Sequence, residues 1–315
     1  MKKTRIFRYL FLILIAAGIY SCEDMTDNYY KYIKDGETVY LVRPDSVESY
    51  AGNGRVLIKC MLKNAFNVDK IWVYWNEGHD STSFDFVQSA DIDMVDMMIT
   101  GLDEKSYIFD IYTKNTDGNS SVKVTTFSSA YGERYRAALY PRIPSGFSCD
   151  TVDATMTWLA SDESEDVTEL KYTNLSGIEN RVSLSTDTTK LRLWQFSDAG
   201  AVTYRSFYKP EATAIDSFAT DWTTYQLPAA YAMFKTVIVT PKTGGANVVW
   251  ENPTNSPVSV KVQYLSNTSV LTTKVFKTSP GSVTGLNTNT RDFKVTFIES
   301  SGNTFGPKVF KVTPL

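Results

Sequence analysis

Thr100-Gly-Leu-Asp-Glu-Lys-Ser-Tyr-Ile-Phe-Asp-Ile-Tyr-Thr-Lys-Asn-Thr-Asp-Gly-Asn119 aligns without a gap on Thr284-Gly-Leu-Asn-Thr-Asn-Thr-Arg-Asp-Phe-Lys-Val-Thr-Phe-Ile-Glu-Ser-Ser-Gly-Asn303. The threonine, the Gly-Leu pair, the phenylalanine and the final Gly-Asn coincide. Working outward, each copy has the same approach. Asn53-Gly54 precedes the alternating Val56, Ile58 and Cys60, and Gly244-Gly245 precedes Ala246, Val248 and Trp250; an aromatic-bearing strand follows, ending at Trp75 in one copy and Tyr264 in the other. Alternation of apolar and polar residues with Gly-rich turns is the pattern of half-buried antiparallel strands. A repeated unit of this kind predicts two copies of one all-β domain.

The remaining chain reads the same way. Lys70-Ile-Trp-Val-Tyr-Trp75 and Val258-Ser-Val-Lys-Val-Gln-Tyr264 are short alternating runs, and no long segment past residue 35 keeps a 3.6-residue apolar period. A helical bundle or a βαβ fold is therefore disfavoured, since parallel strands need crossover helices. Between about Gly132 and Pro228, strands are expected at Met156 and Trp158, at Leu191, Leu193 and Phe196, and from Tyr204 to Tyr208. Asp162-Glu-Ser-Glu-Asp166 is expected to be a surface loop.

A Gly-Leu pair followed by Tyr-x-Phe-x-Ile and a polar glycine turn resembles the end of a fibronectin type III domain. That resemblance gives Tyr107 the place of the corner tyrosine, whose hydroxyl ties down a loop in such sandwiches. Arg291 stands at the equivalent position of the later copy, which predicts loss of that bond there. The fold class expected is all-β, tandem immunoglobulin/fibronectin type III-like β-sandwiches after a lipoprotein signal peptide. The expected divisions are 1–21 signal peptide, 22–35 lipidated tether, 36–131 and 229–315 fibronectin-like sandwiches, and 132–228 a sandwich whose type the sequence does not assign.

The front of the chain carries an address. Lys2, Lys3, Arg5 and Arg8 precede Tyr9 to Tyr20, an uncharged and mostly apolar run followed by Ser21 and Cys22. This is the layout of a secretory signal peptide, too short for the ~20 residues of a membrane span. Gly18 to Cys22 resembles a bacterial lipobox, which implies lipidation of Cys22 and a membrane partner through the acyl chains. Glu23-Asp24 resemble the acidic signal that sends lipoproteins of Bacteroidetes-type bacteria to the outer face of the outer membrane. Removal of residues 1–21 reduces the 32 basic residues by four, leaving 28 against 35 acidic ones, a net charge of -7.

That balance disfavours nucleic acid as a partner, because phosphate binding needs clustered Lys and Arg. A single histidine, His79, excludes two-histidine metal signatures and leaves one candidate for any Ser-His-Asp arrangement. It sits in a polar turn, Asn76 to Asp80, and no nucleophile elbow or phosphate loop occurs. Carboxylates cluster at Asp91, Asp93 and Asp96 and at Asp162, Glu163, Glu165 and Asp166, and the second cluster lacks the glycine and spacing of an EF-hand calcium loop. No catalytic residue, metal ligand or cofactor is assigned, and the expected class is not an enzyme. Cys60 and Cys149 are expected to be buried free thiols.

The aromatics are the informative side chains. Alternation places Ile71, Val73 and Trp75 on one face of their strand and Trp72 and Tyr74 on the other, and a half-buried strand does not need large aromatics on both. The outer face is a ligand surface or a domain contact. Sugar rings stack on aromatic faces while polar neighbours take their hydroxyls, which makes Trp72, Tyr74 and Asn76 the candidate glycan-binding residues.

Tyr32 to Tyr40, Trp72 to Asn76 and Tyr204 to Phe218 are together similar to an uncharacterised family of Bacteroidetes surface lipoproteins that often accompany polysaccharide-utilisation systems. The resemblance implies an outer-membrane, outward-facing setting, an oligosaccharide or polysaccharide ligand and an outer-membrane protein partner. The competing expectation is a structural spacer that mediates protein contacts at the surface.

Overall fold

The computed structural model describes residues 40–315. The expected signal peptide, Cys22, the tether to residue 35 and the tyrosine-rich segment before Tyr40 lie outside the described residues. The chain is all-β. Its first strands are β1 (Asp45–Asn53), β2 (Arg55–Lys63), β3 (Lys70–Trp75), β4 (Asp80–Asp85), β5 (Ile92–Thr100), β6 (Lys105–Lys114) and β7 (Val124–Tyr131). Their hydrogen-bonded order is β4-β3-β6-β7-β1-β2-β5. The segments β4-β3-β6-β7 and β1-β2-β5 of that order join where Gly52 and Asn53 of β1 run parallel to Ala130 and Tyr131 of β7. Alternation in the sequence becomes alternation in burial: Val56, Ile58, Cys60 and Leu62 of β2 are all buried, and their neighbours are not.

By its contacts the chain condenses into two compact units, one around residues 58–97 and 107–127, the other around 50–57, 98–106 and 128–315. The second unit holds the helices α1 (Glu133–Ala137) and α2 (Ala229–Thr236) and two further strand sets. The first set is β8 (Pro144–Cys149), β9 (Ala154–Trp158), β10 (Glu165–Asn174), β11 (Glu179–Ser185), β12 (Lys190–Leu193), β13 (Phe196–Ser197), β14 (Val202–Tyr208), β15 (Phe218–Ala219) and β16 (Thr223–Tyr225). The second is β17 (Ile238–Lys242), β18 (Gly245–Val249), β19 (Val258–Leu265), β20 (Leu271–Phe276), β21 (Gly281–Thr284), β22 (Arg291–Glu299) and β23 (Thr304–Val312). Each set forms a three-strand ladder, β12-β9-β8 or β17-β18-β21, and a ladder of four or more, β11-β10-β14-β15 or β20-β19-β22-β23. That division matches the fibronectin type III arrangement, so the strands expected around Trp158, Leu193 and Tyr204 form a sandwich of the same kind.

The repeated Gly-Leu has a structural cause. Gly54 (φ 61°) turns the chain from β1 into β2, and its carbonyl accepts the Leu102 N–H at 2.9 Å. Gly244 (φ 64°) turns β17 into β18, and its carbonyl accepts the Leu286 N–H at 3.0 Å. Both turns need a left-handed residue, which glycine supplies without a Cβ clash. The repeat therefore marks one and the same loop-to-turn bond in two places.

Arg291 corrects one expectation. Without a tyrosine, the corner is tied by guanidinium: Nη1 donates to the Leu265 carbonyl at 2.8 Å, Nη2 to the Asn287 carbonyl at 3.2 Å, and Nε to the Asn289 carbonyl at 3.2 Å. The side chain is buried, so these carbonyls satisfy donors that water cannot reach. The loop is held, by a different chemistry.

The line expected between residues 228 and 229 separates two strand sets but not two cores. β8 pairs in parallel with β23 at Cys149 and Phe305, joining strands from both sides into one sheet, β12-β9-β8-β23-β22-β19-β20. Asn303 Oδ1 accepts the Phe147 N–H at 3.1 Å, and the Thr304 N–H donates to Ser148 Oγ at 3.1 Å. Helix α2 fills the seam with Ala230, Met233 and Phe234, and one buried cluster runs from Phe147 to Val312. Trp250, expected at the heart of the last sandwich, is buried and meets Phe297 edge-on at 5.9 Å.

Candidate functional site

In the first unit, β3 is a central strand between β4 and β6. Its inward side chains Ile71 and Val73 are fully buried, while Trp72 and Tyr74 are half-buried on the outer face. The two rings lie nearly parallel, 19° apart with centroids 5.8 Å apart. Register builds the surroundings: Trp72 stands across from Ser83 of β4 and Tyr112 of β6, and Tyr74 across from Ser81 and Asp110. Tyr112 meets Tyr74 edge-on at 5.8 Å. Lys114 Nζ donates to the Tyr74 hydroxyl at 2.7 Å and lies 5.1 Å from the centroid of each of the Trp72 and Tyr74 rings. A cation near the π faces of two rings is attracted by their quadrupoles and fixes both.

The sequence brings Trp72 and Tyr74 into this arrangement and leaves out Tyr112 and Lys114, which only the β3–β6 register supplies. Asn76 stands aside. It opens the turn after β3 with φ 50°, followed by Glu77 at 57° and Gly78 at 85°, and its Nδ2 donates to Asp80 Oδ2. The amide that was to meet sugar hydroxyls is thus engaged within its own turn. His79 is exposed in the same turn, and its backbone N–H donates to the Asn76 carbonyl at 3.1 Å.

The acidic groups disperse. Asp93 accepts from the Ser89 and Ala90 N–H groups, and Asp96 pairs with Lys59 at 3.3 Å. The expected surface loop at 162–166 is corrected in part: Glu165 begins β10 and is buried, with Oε2 3.9 Å from Arg142 Nε and Oε1 accepting from Thr168 Oγ1 at 2.6 Å. That same Arg142 Nε donates to the Leu159 carbonyl at 2.8 Å, and Nη2 donates to the Thr188 carbonyl at 2.9 Å. Among the described residues no group of three or more His, Cys, Asp or Glu is arranged to hold a metal ion. Cys60 and Cys149 are buried and free, and burial pushes their thiols up to about 11 and about 12.

The second unit carries an aromatic–cation cluster that the sequence reading passed over. Lys171, Arg205 and Arg181 lie 4.4, 4.5 and 5.8 Å from the Trp222 ring centroid. Glu169 bridges the two arginines at 3.0 Å to Arg181 and 2.8 Å to Arg205. The available signal was the alternating Glu169 and Lys171 of β10, with one arginine each on β11 and β14. Elsewhere in this unit the ends of β1 and β2 meet the loop before β15: Asp216 accepts from Arg55 Nη2 at 2.5 Å and from the Asn53 N–H at 2.8 Å, and Tyr131 donates to Glu211 at 3.0 Å. The Arg55 bonds hold the Asp216 carboxyl below the usual carboxylate range.

Fold and site define an all-β chain of fibronectin type III-like sandwiches with an aromatic outer sheet face. Residues 22–218 match the family DUF4998, a domain of unknown function, and the chain belongs to that family. No curated protein matches the chain. Among solved structures it is similar to the FN1–FN3 domains of chicken CNTN1, with 12% identity, 86% of this chain and 98% of that one covered, and a TM-score of 0.23. It is likewise similar to a two-domain fibronectin type III segment of chicken tenascin, with 13% identity, 58% and 98% covered, and a TM-score of 0.24. The family match ends at Phe218, whose ring packs edge-on against Tyr135 at 5.1 Å and Tyr131 at 6.5 Å.

Proposed function

We propose that this protein is a non-enzymatic surface lipoprotein that captures glycan on the outer face of β3. The observation that carries the reading is the near-parallel Trp72–Tyr74 pair on a half-exposed sheet face, with Ser81 and Ser83 across from it. An aromatic pair of this kind offers a sugar its ring faces, and serine hydroxyls offer partners for sugar hydroxyls. A sheet face is shallow, so affinity is weak for one ring and grows with oligosaccharide length. The anchor is Cys22, lipidated after cleavage of residues 1–21, and the setting is the outward side of an outer membrane of the Bacteroidetes type. A glycan array probed with the protein and with Trp72→Ala tests the ligand: loss of binding at unchanged melting temperature supports it. Unchanged binding with a lowered melting temperature assigns Trp72 to packing. For the anchor, Cys22→Ala is expected to lose its acyl label and leave the membrane fraction, and its retention there without detergent refutes lipidation.

A second reading, a spacer that holds an outer-membrane protein partner at the surface, is favoured by the sheet shared between β8 and β23. Joining two sandwiches through one sheet and one core stiffens that part of the chain, which suits a spacer.

A further inference from the structure

Around β3 stand Lys70 of that strand, Asp85 of β4, Asp110 and Lys114 of β6, and Lys123 just before β7, and their pairing is uneven. Lys70 is paired with Asp85 at 2.7 Å, and Lys123 with Asp110 at 3.1 Å. Lys114 has no carboxylate within salt-bridge distance among the described residues; its ammonium donates to the Tyr74 hydroxyl and rests against two rings. A phenol oxygen and π faces stabilise the cation without neutralising it. The charge is also placed with respect to the stacking surface, since the nitrogen is 5.1 Å from the centroids of both Trp72 and Tyr74.

From this we infer that the glycan taken by this face is acidic, a uronate-containing oligosaccharide whose carboxylate pairs with Lys114 while its ring stacks on Trp72 and Tyr74. The inference rests on the glycan reading above and adds the charge of the ligand. A neutral sugar leaves the ammonium as it is; a uronate gives it a charge-assisted hydrogen bond at the edge of an aromatic surface that excludes part of the water. The rest of the chain is acidic, with a net charge of -3 over its full length, and disfavours polyanions in general. Selection for acid thus depends on this one position rather than on bulk charge.

The test uses matched pairs: galacturonate, glucuronate and mannuronate oligosaccharides, each beside its methyl ester, which keeps the ring and removes the charge. Binding to the full-length protein is measured by calorimetry at low and high salt. At least one acid form is expected to bind about tenfold more tightly than its ester, roughly the worth of one partly desolvated ion pair. The ratio should shrink as salt screens the pair. Lys114→Met, which keeps most of the side-chain stem, should bring the ratio to one with the melting temperature retained, and Lys114→Arg should preserve it. Equal binding of acid and ester, still abolished by Trp72→Ala, overturns the inference and leaves the glycan reading standing. Binding of no sugar, or binding indifferent to Trp72→Ala, overturns both. An acid preference that survives in Lys114→Met also overturns the assignment, because the charge then lies elsewhere.

Discussion

Trp72 and Trp222 both sit on outer sheet faces with cations beside them, and their surroundings differ in one respect. Three cations stand around Trp222, and Glu169 closes the circuit by pairing two of them. Trp72 has a second ring, Tyr74, and one lysine that pairs with no carboxylate among the described residues. In the first cluster the π face and the charges satisfy one another; in the second, the lysine meets a phenol oxygen and two rings, which is what the proposed ligand would complete. Aromatic residues on a sheet surface are therefore not equivalent signals of binding. What separates them is whether neighbouring strands complete the electrostatics.

The largest effect expected from breaking this comparison is at Glu169. Glu169→Ala leaves Arg181 and Arg205 facing each other over one indole, and a destabilisation of about 2 kcal/mol should follow, since Glu169 itself is largely buried while its arginine partners are partly exposed. Calorimetric melting should show it, with sugar binding untouched; a melting temperature unchanged from the parent would mean that the cluster is not self-contained. Next comes Trp222→Ala, which removes the ring from between the cations and should cost about 1–2 kcal/mol of stability by loss of cation–π and apolar contact. It mirrors Trp72→Ala, whose effect is expected on binding, and a binding loss in Trp222→Ala would erase the distinction drawn between the two faces.

Alkaline titration probes the second unit, where Trp222 lies, through its partly buried phenols. Burial, with the Glu211 bond in support, pushes Tyr131 up to about 12, and burial pushes Tyr225 up to about 12. The folded chain prefers the neutral phenol, so this stability is full below the unfolded value near 10 and is lost as pH rises toward 12. Ultraviolet difference absorbance should show late-ionising tyrosines that appear together with unfolding. The smallest effect is at the clasp. Asp216→Asn weakens the Arg55 bonds and should cost about 1 kcal/mol. Because the Asp216 carboxyl is held below its ordinary value, its contribution is present above about pH 4 and fades as the pH falls further, so parent and variant should converge in acid.

Much of the fold was legible because it is local. Alternation in β2, β3, β14 and β22 gave strands and their inward faces, and the left-handed turns at Gly54 and Gly244 demanded glycine whatever the rest of the chain did. The inward placing of Ile71, Val73 and Trp250 and the outward placing of Trp72 and Tyr74 follow from a two-residue period alone. What surrounds them does not. Tyr112 and Lys114 reach Trp72 and Tyr74 through β3–β6 pairing across some forty residues of chain, and a shift of one residue would present the opposite face. Arg291 replaces a tyrosine at a corner by donating to carbonyls of the loop before β22 and of the end of β19, a substitution visible in the sequence only as a gap in the motif. Glu165 looked like part of an acidic surface loop because its neighbours are acidic; its burial beside Arg142 depends on where the chain enters β8. The shared sheet of β8 and β23 joins residues about 156 apart, as the Phe147–Asn303 bond does. Periodicity along a strand fixes which way a side chain points, because the backbone geometry is local; which partners it meets there is decided by long-range pairing, whose register is set by the packing of the whole sandwich.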